Sequence, residues 1–267
     1  MKRIEGIGLA DVQAVYGGPE GRLWELIMGE QIHIGGLTSS MDLAEAAGIK
    51  PGMTGVDLCC CSGAGMRFLV RFRDVARMHG VDATETVVEL GRQRNRAAGL
   101  ADRIQFTLAD VCDSGLPNDS ADFVWGEDAW CYVVDKSKLI AEAARIVRPG
   151  GMIAFTDWVE GDGLSTQEAE RFLRFMKFPN VQSISDYRGL LAAHGCEVIA
   201  AKDTGRFAPY VDLYLDMLGM QLTYDALQII GFNREMMTAM AGEMAFMQQL
   251  AHAGKIAQGL FVARKRG

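Results

Sequence analysis

No run of about 18 or more apolar residues occurs in this chain, so the sequence offers no candidate membrane-spanning helix. The opening, MKRIEGIGLADVQ, carries charge but no apolar core and does not read as a secretory leader. Basic residues are not in excess: 27 Lys and Arg face 34 Asp and Glu, a formal net charge of -7. That balance argues against a nucleic-acid surface, which needs a basic stripe, and leaves a small neutral or cationic ligand open. A C-x-x-C pair is missing. The six cysteines (Cys59, Cys60, Cys61, Cys112, Cys131 and Cys196) do not form a secreted disulfide framework in a chain this long. Internal repeats, low-complexity tracts and Pro/Gly/Ser linkers are lacking too. A reducing cytoplasm is the expected setting, and oligomeric state leaves no signal.

What is present suits one elaborated α/β domain. The 267 residues are 49% hydrophobic, enough for a substantial core. LTSSMDLAEAAGI predicts a helix with Thr38 to Ser40 as candidate N-caps and Gly48 as its stop. Buried-strand patterns follow in GVDLCC, ARMHGVD, RIQFTLAD, ADFVWGED and MIAFTDW. Helical patterns lie between them, in MRFLVRFRDVAR, TETVVELGRQRNRAAGL and SKLIAEAARIVRPGG, the last closed by a Pro-Gly-Gly turn. Such alternation predicts a doubly wound, mostly parallel sheet. CEVIAAKDTG and KIAQGLFVARK read as two further strands, for seven in all. Seven of the 15 methionines lie between Met217 and Met247, in a helical insert of about Ala208 to Ala253. The expected organisation is a helical lid over 1–50, a cofactor-binding α/β core over 51–205, a helical cap over 206–254 and the last strand over 255–267.

Ligands of open α/β sheets bind beyond the carboxyl ends of the strands, so the first strand–turn–helix, VDLCCCSGAGMRFL, is the place to look. Asp57, Gly63 and Gly65 surround a turn that passes close to a ligand, and the helix start after it favours negative groups. Asp82 ends the second strand 25 residues after Asp57, where a carboxylate can accept two ribose hydroxyls. Asp110 ends the third strand, and Glu127 and Asp128 follow the fourth. The turn resembles the D-x-G-x-G-x-G loop of class I S-adenosylmethionine-dependent methyltransferases, with Cys59, Cys61 and Gly63 at the glycine positions. The resemblance implies cofactor roles for Asp57, Cys59, Cys61, Gly63, Asp82, Ala83 and Glu127. It also implies that Asp110 receives the adenine amino group and that the Val111 amide meets the ring. A dinucleotide-binding dehydrogenase would also place an acid after the second strand, but it keeps G-x-G-x-x-G and lacks the Asp110 and Asp128 pattern.

The three adjacent cysteines also invite a metal reading. Zinc wants about four converging ligands, and consecutive strand residues point to opposite faces. A site recruiting Cys112 and Cys131 is the alternative. Small buried thiols standing where a β-carbon is just tolerated is the preferred reading, with no metal.

YGGPEGRLWELIMGEQIHIGG is similar to the N-terminal lid of sarcosine/dimethylglycine-type methyltransferases, through Tyr16, Trp24, Gly29, Glu30, Gln31, His33 and Gly35. Tyr16 and Trp24 are thereby cofactor candidates. GEDAWCYVVDK is similar to the segment after the fourth strand of that group, with Glu127 replacing Gln. The kinship implies S-adenosyl-L-methionine as cofactor, S-adenosyl-L-homocysteine as product and a small-molecule methyl acceptor. Trp130, Tyr132 and Trp158, beside Glu127 and Asp128, suit an amine that becomes cationic, through cation–π and charge attraction. They equally suit an aromatic ring, and packing is the other reading of the tryptophans. Tyr210 is an acceptor candidate from the insert, with core packing as its alternative. His33 and Asp128 are the candidates to assist proton loss. The expectation is transfer to an amine nitrogen. The alternatives are oxygen or carbon transfer, or a non-catalytic cofactor or thiol-metal sensor.

Overall fold

The computed structural model describes all 267 residues, Met1–Gly267. A two-residue strand, β1 (Lys2–Arg3), precedes the helices α1 (Leu9–Tyr16), α2 (Pro19–Met28) and α3 (Gly36–Ala46). Alternation then sets in with β2 (Thr54–Leu58), α4 (Ala64–Phe72), β3 (Arg77–Asp82), α5 (Glu85–Ala97), β4 (Ile104–Leu108) and β5 (Ala121–Glu127). A short 3-10 turn (Trp130–Tyr132) leads to α6 (Lys136–Ile146) and the long β6 (Val147–Glu160). The chain continues through α7 (Thr166–Met176), β7 (Asn180–Val181), α8 (Ile184–Ala193) and β8 (Cys196–Asp203). Three insert helices follow, α9 (Phe207–Gly219), α10 (Thr223–Ile229) and α11 (Arg234–His252), before β9 (Ile256–Lys265). No helix is long and apolar enough to cross a membrane.

The main sheet has seven strands in the order β4-β3-β2-β5-β6-β9-β8. The first five are parallel, and β9 runs antiparallel to both β6 and β8. The strand order reverses between β2 and β5, which opens a crevice at their carboxyl ends. Helices cover both faces. On one face Ile140 of α6 and Leu191 of α8 pack with Val56, Val124 and Phe155 of the sheet. On the other, Leu43 of α3 and Met66 and Leu69 of α4 pack with Met78 and Trp125. A third cluster lies beyond the strand ends. There Ile27 and Ile34 of the N-terminal segment meet Phe207, Val211, Met244 and Met247 of the insert.

Two local expectations change. α3 begins at Gly36, after Gly35 in left-handed backbone at φ 92°, so Ser39 and Ser40 are buried helix residues rather than N-caps. The earlier start follows from the paired glycines, which reverse the chain where a β-carbon would strain it. α6 stops at Ile146 without a Pro-Gly-Gly turn, because Val147 is already extended and pairs with Ala121. Pro149 disfavours helix at Arg148, and a register shift in β5–β6 absorbs the glycines. The β1–β7 pairing leaves no readable pattern, since two residues carry no period.

Gly55 at the centre of β2 is there for space. A β-carbon would lie 2.5 Å from Phe123 Cε2 and 2.7 Å from Met78 Sδ. Gly55→Ala is expected to cost about 1–3 kcal/mol, read as a lower urea midpoint at unchanged slope.

Candidate active site

The turn after β2 is built on left-handed backbone at three alternate positions: Cys59 (φ 65°), Cys61 (φ 48°) and Gly63 (φ 78°). Two are β-carbon residues, for which this region costs about 1–2 kcal/mol each. Neighbouring hydrogen bonds hold them there. Cys59 N and Cys60 N both donate to Val81 O, at 2.9 and 3.2 Å. Cys61 N donates to Asp82 Oδ2 at 2.9 Å, and Thr84 N donates to Asp82 Oδ1 at 2.9 Å. Buried Arg67 braces the turn from below, donating to Ser62 O at 2.7 Å and to Asn95 Oδ1 at 3.2 Å.

The thiols diverge. Cys60 packs over Gly80, where a β-carbon would lie 2.5 Å from its sulfur. Cys59 packs with Cys112 against the α6 side of the core. Burial pushes the Cys59, Cys60 and Cys61 thiols up, Cys61 to about 12, so they stay protonated near neutral pH. No group of three or more His, Cys, Asp or Glu side chains is arranged to hold a metal ion.

A cavity of about 380 Å³ opens above this turn at the ends of β2, β3, β4 and β5. The candidates Tyr16, His33, Asp57, Cys59, Cys61, Asp82, Ala83, Asp110, Val111, Glu127, Asp128 and Tyr132 all line it. Five candidates do not. Gly63 caps α4 beneath it, against Phe106. Trp24 packs on the cluster between lid and insert. Trp130 is fully buried, stacks on Phe155 at 4.0 Å, and donates its indole N–H to Leu58 O at 3.2 Å. Trp158 lies among Phe172, Phe178 and Phe207. Tyr210 stands beside Tyr214 in the same cluster, 6.0 Å between ring centroids. The acceptor roles expected for Trp130, Trp158 and Tyr210 therefore do not follow. These large rings fill the gap where the sheet end meets the insert. The N-terminal segment adds lining residues: Leu9 and Val12, which sequence reasoning missed, and Glu30 and Gln31, which it matched to the N-terminal motif without a site role. The outer rim adds Asp113, Asp135 and Lys138. The lid's apolar pair had no signal, since two such residues on a short helix look like ordinary packing.

The lining is acidic. Eight carboxylate side chains face one lysine, Lys138, whose side chain is 73% exposed and lies 3.9 Å from Asp135. Gly65 lets two carboxylates come close: a β-carbon there would meet Glu127 Oε2 at 2.7 Å and Asp57 Oδ2 at 3.5 Å. Burial, then Glu127 and Asp82 nearby, hold the Asp57 carboxyl well above the usual carboxylate range. Glu127 Oε1 accepts from Ser40 Oγ at 2.5 Å and lies 3.4 Å from His33 Nε2. The other ring nitrogen of His33 lies 3.2 Å from Ile34 O. Asp128 Oδ2 accepts from Ile34 N and from Gln258 Nε2, each at 2.8 Å, while Oδ1 is buried without a partner. Burial pushes the Asp128 carboxyl up. His33 and Asp128, candidates for proton transfer, are thus tied chiefly to the protein itself. Glu127 keeps one oxygen toward the cavity.

The N-terminal segment is fastened across the site. Gln13 Nε2 donates to Ala83 O at 2.7 Å, and Tyr16 OH donates to Tyr132 OH at 3.1 Å. Glu30 pairs with Arg67 at 2.6 Å, and Glu25 pairs with Arg94.

Residues 56–155 match the family described as "Methyltransferase domain". Methyltransferase GfsG of Streptomyces halstedii is 27% identical over 188 residues, covering 66% of this chain and 67% of that one. The dimethylglycine N-methyltransferase of Parasynechococcus marenigrum is 30% identical over 148 residues, 55% of this chain and 52% of that one. Several curated relatives are matched over only about half of their length. In fold the chain is similar to phosphoethanolamine N-methyltransferase 2 of Haemonchus contortus in complex with S-adenosyl-L-methionine. That likeness has a TM-score of 0.85 at 17% identity and covers 97% of this chain and 60% of that one.

Replacing Cys59 or Cys61 by glycine removes left-handed strain while loosening the unfolded chain slightly. Each of Cys59→Gly and Cys61→Gly is expected to raise stability by about 1 kcal/mol, seen as a higher denaturant midpoint, with S-adenosylhomocysteine binding retained in calorimetry.

Proposed function

We propose, for a chain that carries a class I S-adenosylmethionine-dependent methyltransferase domain, that it methylates a small uncharged or cationic acceptor, an amine nitrogen first among the candidates. One observation carries the acceptor reading: eight carboxylates line the cavity against one exposed lysine, and only Glu30 among them is paired with a buried cation, Arg67. Like charge in a confined cavity repels an anionic acceptor, while a cationic one gains.

The residues present fit the cofactor. Both Asp82 oxygens are oriented by backbone N–H groups and retain lone pairs for ribose hydroxyls. Asp110 and Val111 border the cavity beyond β4, where an adenine ring belongs. Bare Gly65 leaves room beside Asp57 and Glu127, whose crowded carboxyl groups suit a positive centre that relieves their repulsion. S-adenosylmethionine, when bound, supplies a methyl group already activated on a sulfonium. The chain's own part is then to align the acceptor, exclude water and take up a proton. Glu127 Oε2 is the group for that proton, with Ser40 and His33 holding Oε1. Tyr16 and Tyr132 form an aromatic wall, with ring centroids 5.4 Å apart, beside which an ammonium is favoured. Segment 1–50 serves as the lid and 206–254 as the cap.

Matched acceptors test the charge reading. Sarcosinamide and ethanolamine are expected to exceed sarcosine and phosphoethanolamine by about 100-fold in kcat/KM. Preference for the partner that bears the carboxylate or phosphate in either pair would refute it. Product on oxygen or carbon alone redirects the acceptor atom, and tight cofactor binding without turnover on any acceptor favours a sensor. Asp82→Asn is expected to weaken S-adenosylhomocysteine binding about 10-fold or more, and unchanged affinity would displace the ribose site.

A further inference from the structure

Gln258 lies in β9 opposite Trp158 of β6 and is fully buried. A glutamine side chain has an amide group with two N–H bonds and one carbonyl, and all are placed here. Thr204, between β8 and α9, donates its hydroxyl to Gln258 Oε1 at 2.9 Å. Gln258 Nε2 donates to Asp128 Oδ2 at 2.8 Å and to Ile34 O at 2.9 Å. Ile34 N donates to the same Asp128 oxygen at 2.8 Å. The bonds close a circuit that grips Ile34 by both its N–H and its C=O.

Ile34 is itself fully buried, between His33, which lines the cavity, and the two glycines Gly35 and Gly36 in left-handed backbone. From α9, Tyr214 OH lies 3.4 Å from His33 O. Asp128 is also held on its main chain, where Asp128 N donates to Thr156 O at 2.9 Å and φ is 49°. A left-handed aspartate, a fully buried glutamine and a pair of glycines thus converge on one lid residue. None of them is needed there for apolar packing.

We propose that Gln258 is the positioning residue of the lid: by closing the circuit through Asp128 and Ile34 it locks the His33–Gly35 segment over the cavity and sets how long the cofactor stays bound. The proposal rests on the cavity being the cofactor site. Asp128 acts in it as the second half of the lock rather than as the base.

Charge makes the lock testable. The titratable groups that act on Asp128 are His33 from the lid, Asp157 from β6 and Tyr214 from α9. Gln258→Glu keeps the size, removes both N–H bonds and sets a second carboxyl against Asp128. At high pH the two ionised groups repel, and Ile34 O loses its donor. As pH falls the pair takes up one proton, which restores an O–H donor within the circuit.

The measurement is the dissociation rate of S-adenosylhomocysteine by stopped flow at pH 8 and pH 5.5, with amide hydrogen exchange at Ile34 followed alongside. Gln258→Glu is expected to release the ligand about 10-fold faster than wild type at pH 8 and to recover most of that loss at pH 5.5, with faster exchange at Ile34 tracking the rate. Thr204→Val, a milder change that removes the hydroxyl orienting the glutamine, is expected to speed release about 3-fold with no recovery at low pH. Wild-type release rates in both variants overturn the proposal. So does a Gln258→Glu excess that is the same at both pH values, because a merely structural defect has no reason to heal with a proton. A wild-type protein that does not bind S-adenosylhomocysteine removes the cofactor reading itself, and the proposal with it.

Discussion

The carboxylate of Asp82 is the constraint on which the site is assembled. It ends β3, and its two oxygens take the amide N–H groups of Cys61 and Thr84. One residue thereby fixes two turns, the one after β2 and the one after β3, on adjacent strands of the sheet. Left-handed backbone at Cys59 and Cys61 is tolerated because these bonds, with those to Val81 O, over-determine the path. The turn then delivers α4 with Gly65 facing the crevice. Only because Gly65 has no side chain do Asp57 and Glu127 reach the same space.

That space is strongly negative, which is costly unless something offsets it. Part of the relief is local: Asp82 and Asp128 are held by N–H donors, and Asp57 rises in pKa under burial and its neighbours. The rest is left for a ligand. A positive centre in the cavity would relieve the repulsion among the carboxylates, which is the physical basis of the acceptor class proposed above. The guanidinium groups of Arg67 and Arg94 are paired with Glu30 and Glu25 of the N-terminal segment. These cations therefore tie that segment to the core while carboxylates line the cavity.

The strand–helix alternation was legible because each strand is short, apolar and bounded by turn residues, and the motif acids were legible because they sit at strand ends. The helical insert was legible from its concentration of methionines. The aromatic residues were not. Trp130 follows the end of β5 and Trp158 lies near the end of β6, where an acceptor wall would stand, yet both turn into the core. An indole N–H needs a buried acceptor, which Leu58 O provides for Trp130, and Trp158 finds a ring on three sides. The serines of α3 were misread for a similar reason. Ser40 is a good N-cap by composition, but its hydroxyl is used by Glu127, far away in sequence.

By itself, the sequence determined the order of strands and helices, the position of the turn and the acids at its edges. Those are properties of neighbouring residues, carried by periodicity and spacing. Tertiary structure alone decided that the cysteines adopt the glycine-like backbone of that turn while their sulfurs part. It alone brought Gln258, 224 residues on, to close the bond pattern around Ile34. No local pattern encodes a hydrogen bond between the last strand and the lid. It exists because β9 folds back antiparallel beside β6 and sets one buried amide beneath a loop from the other end of the chain.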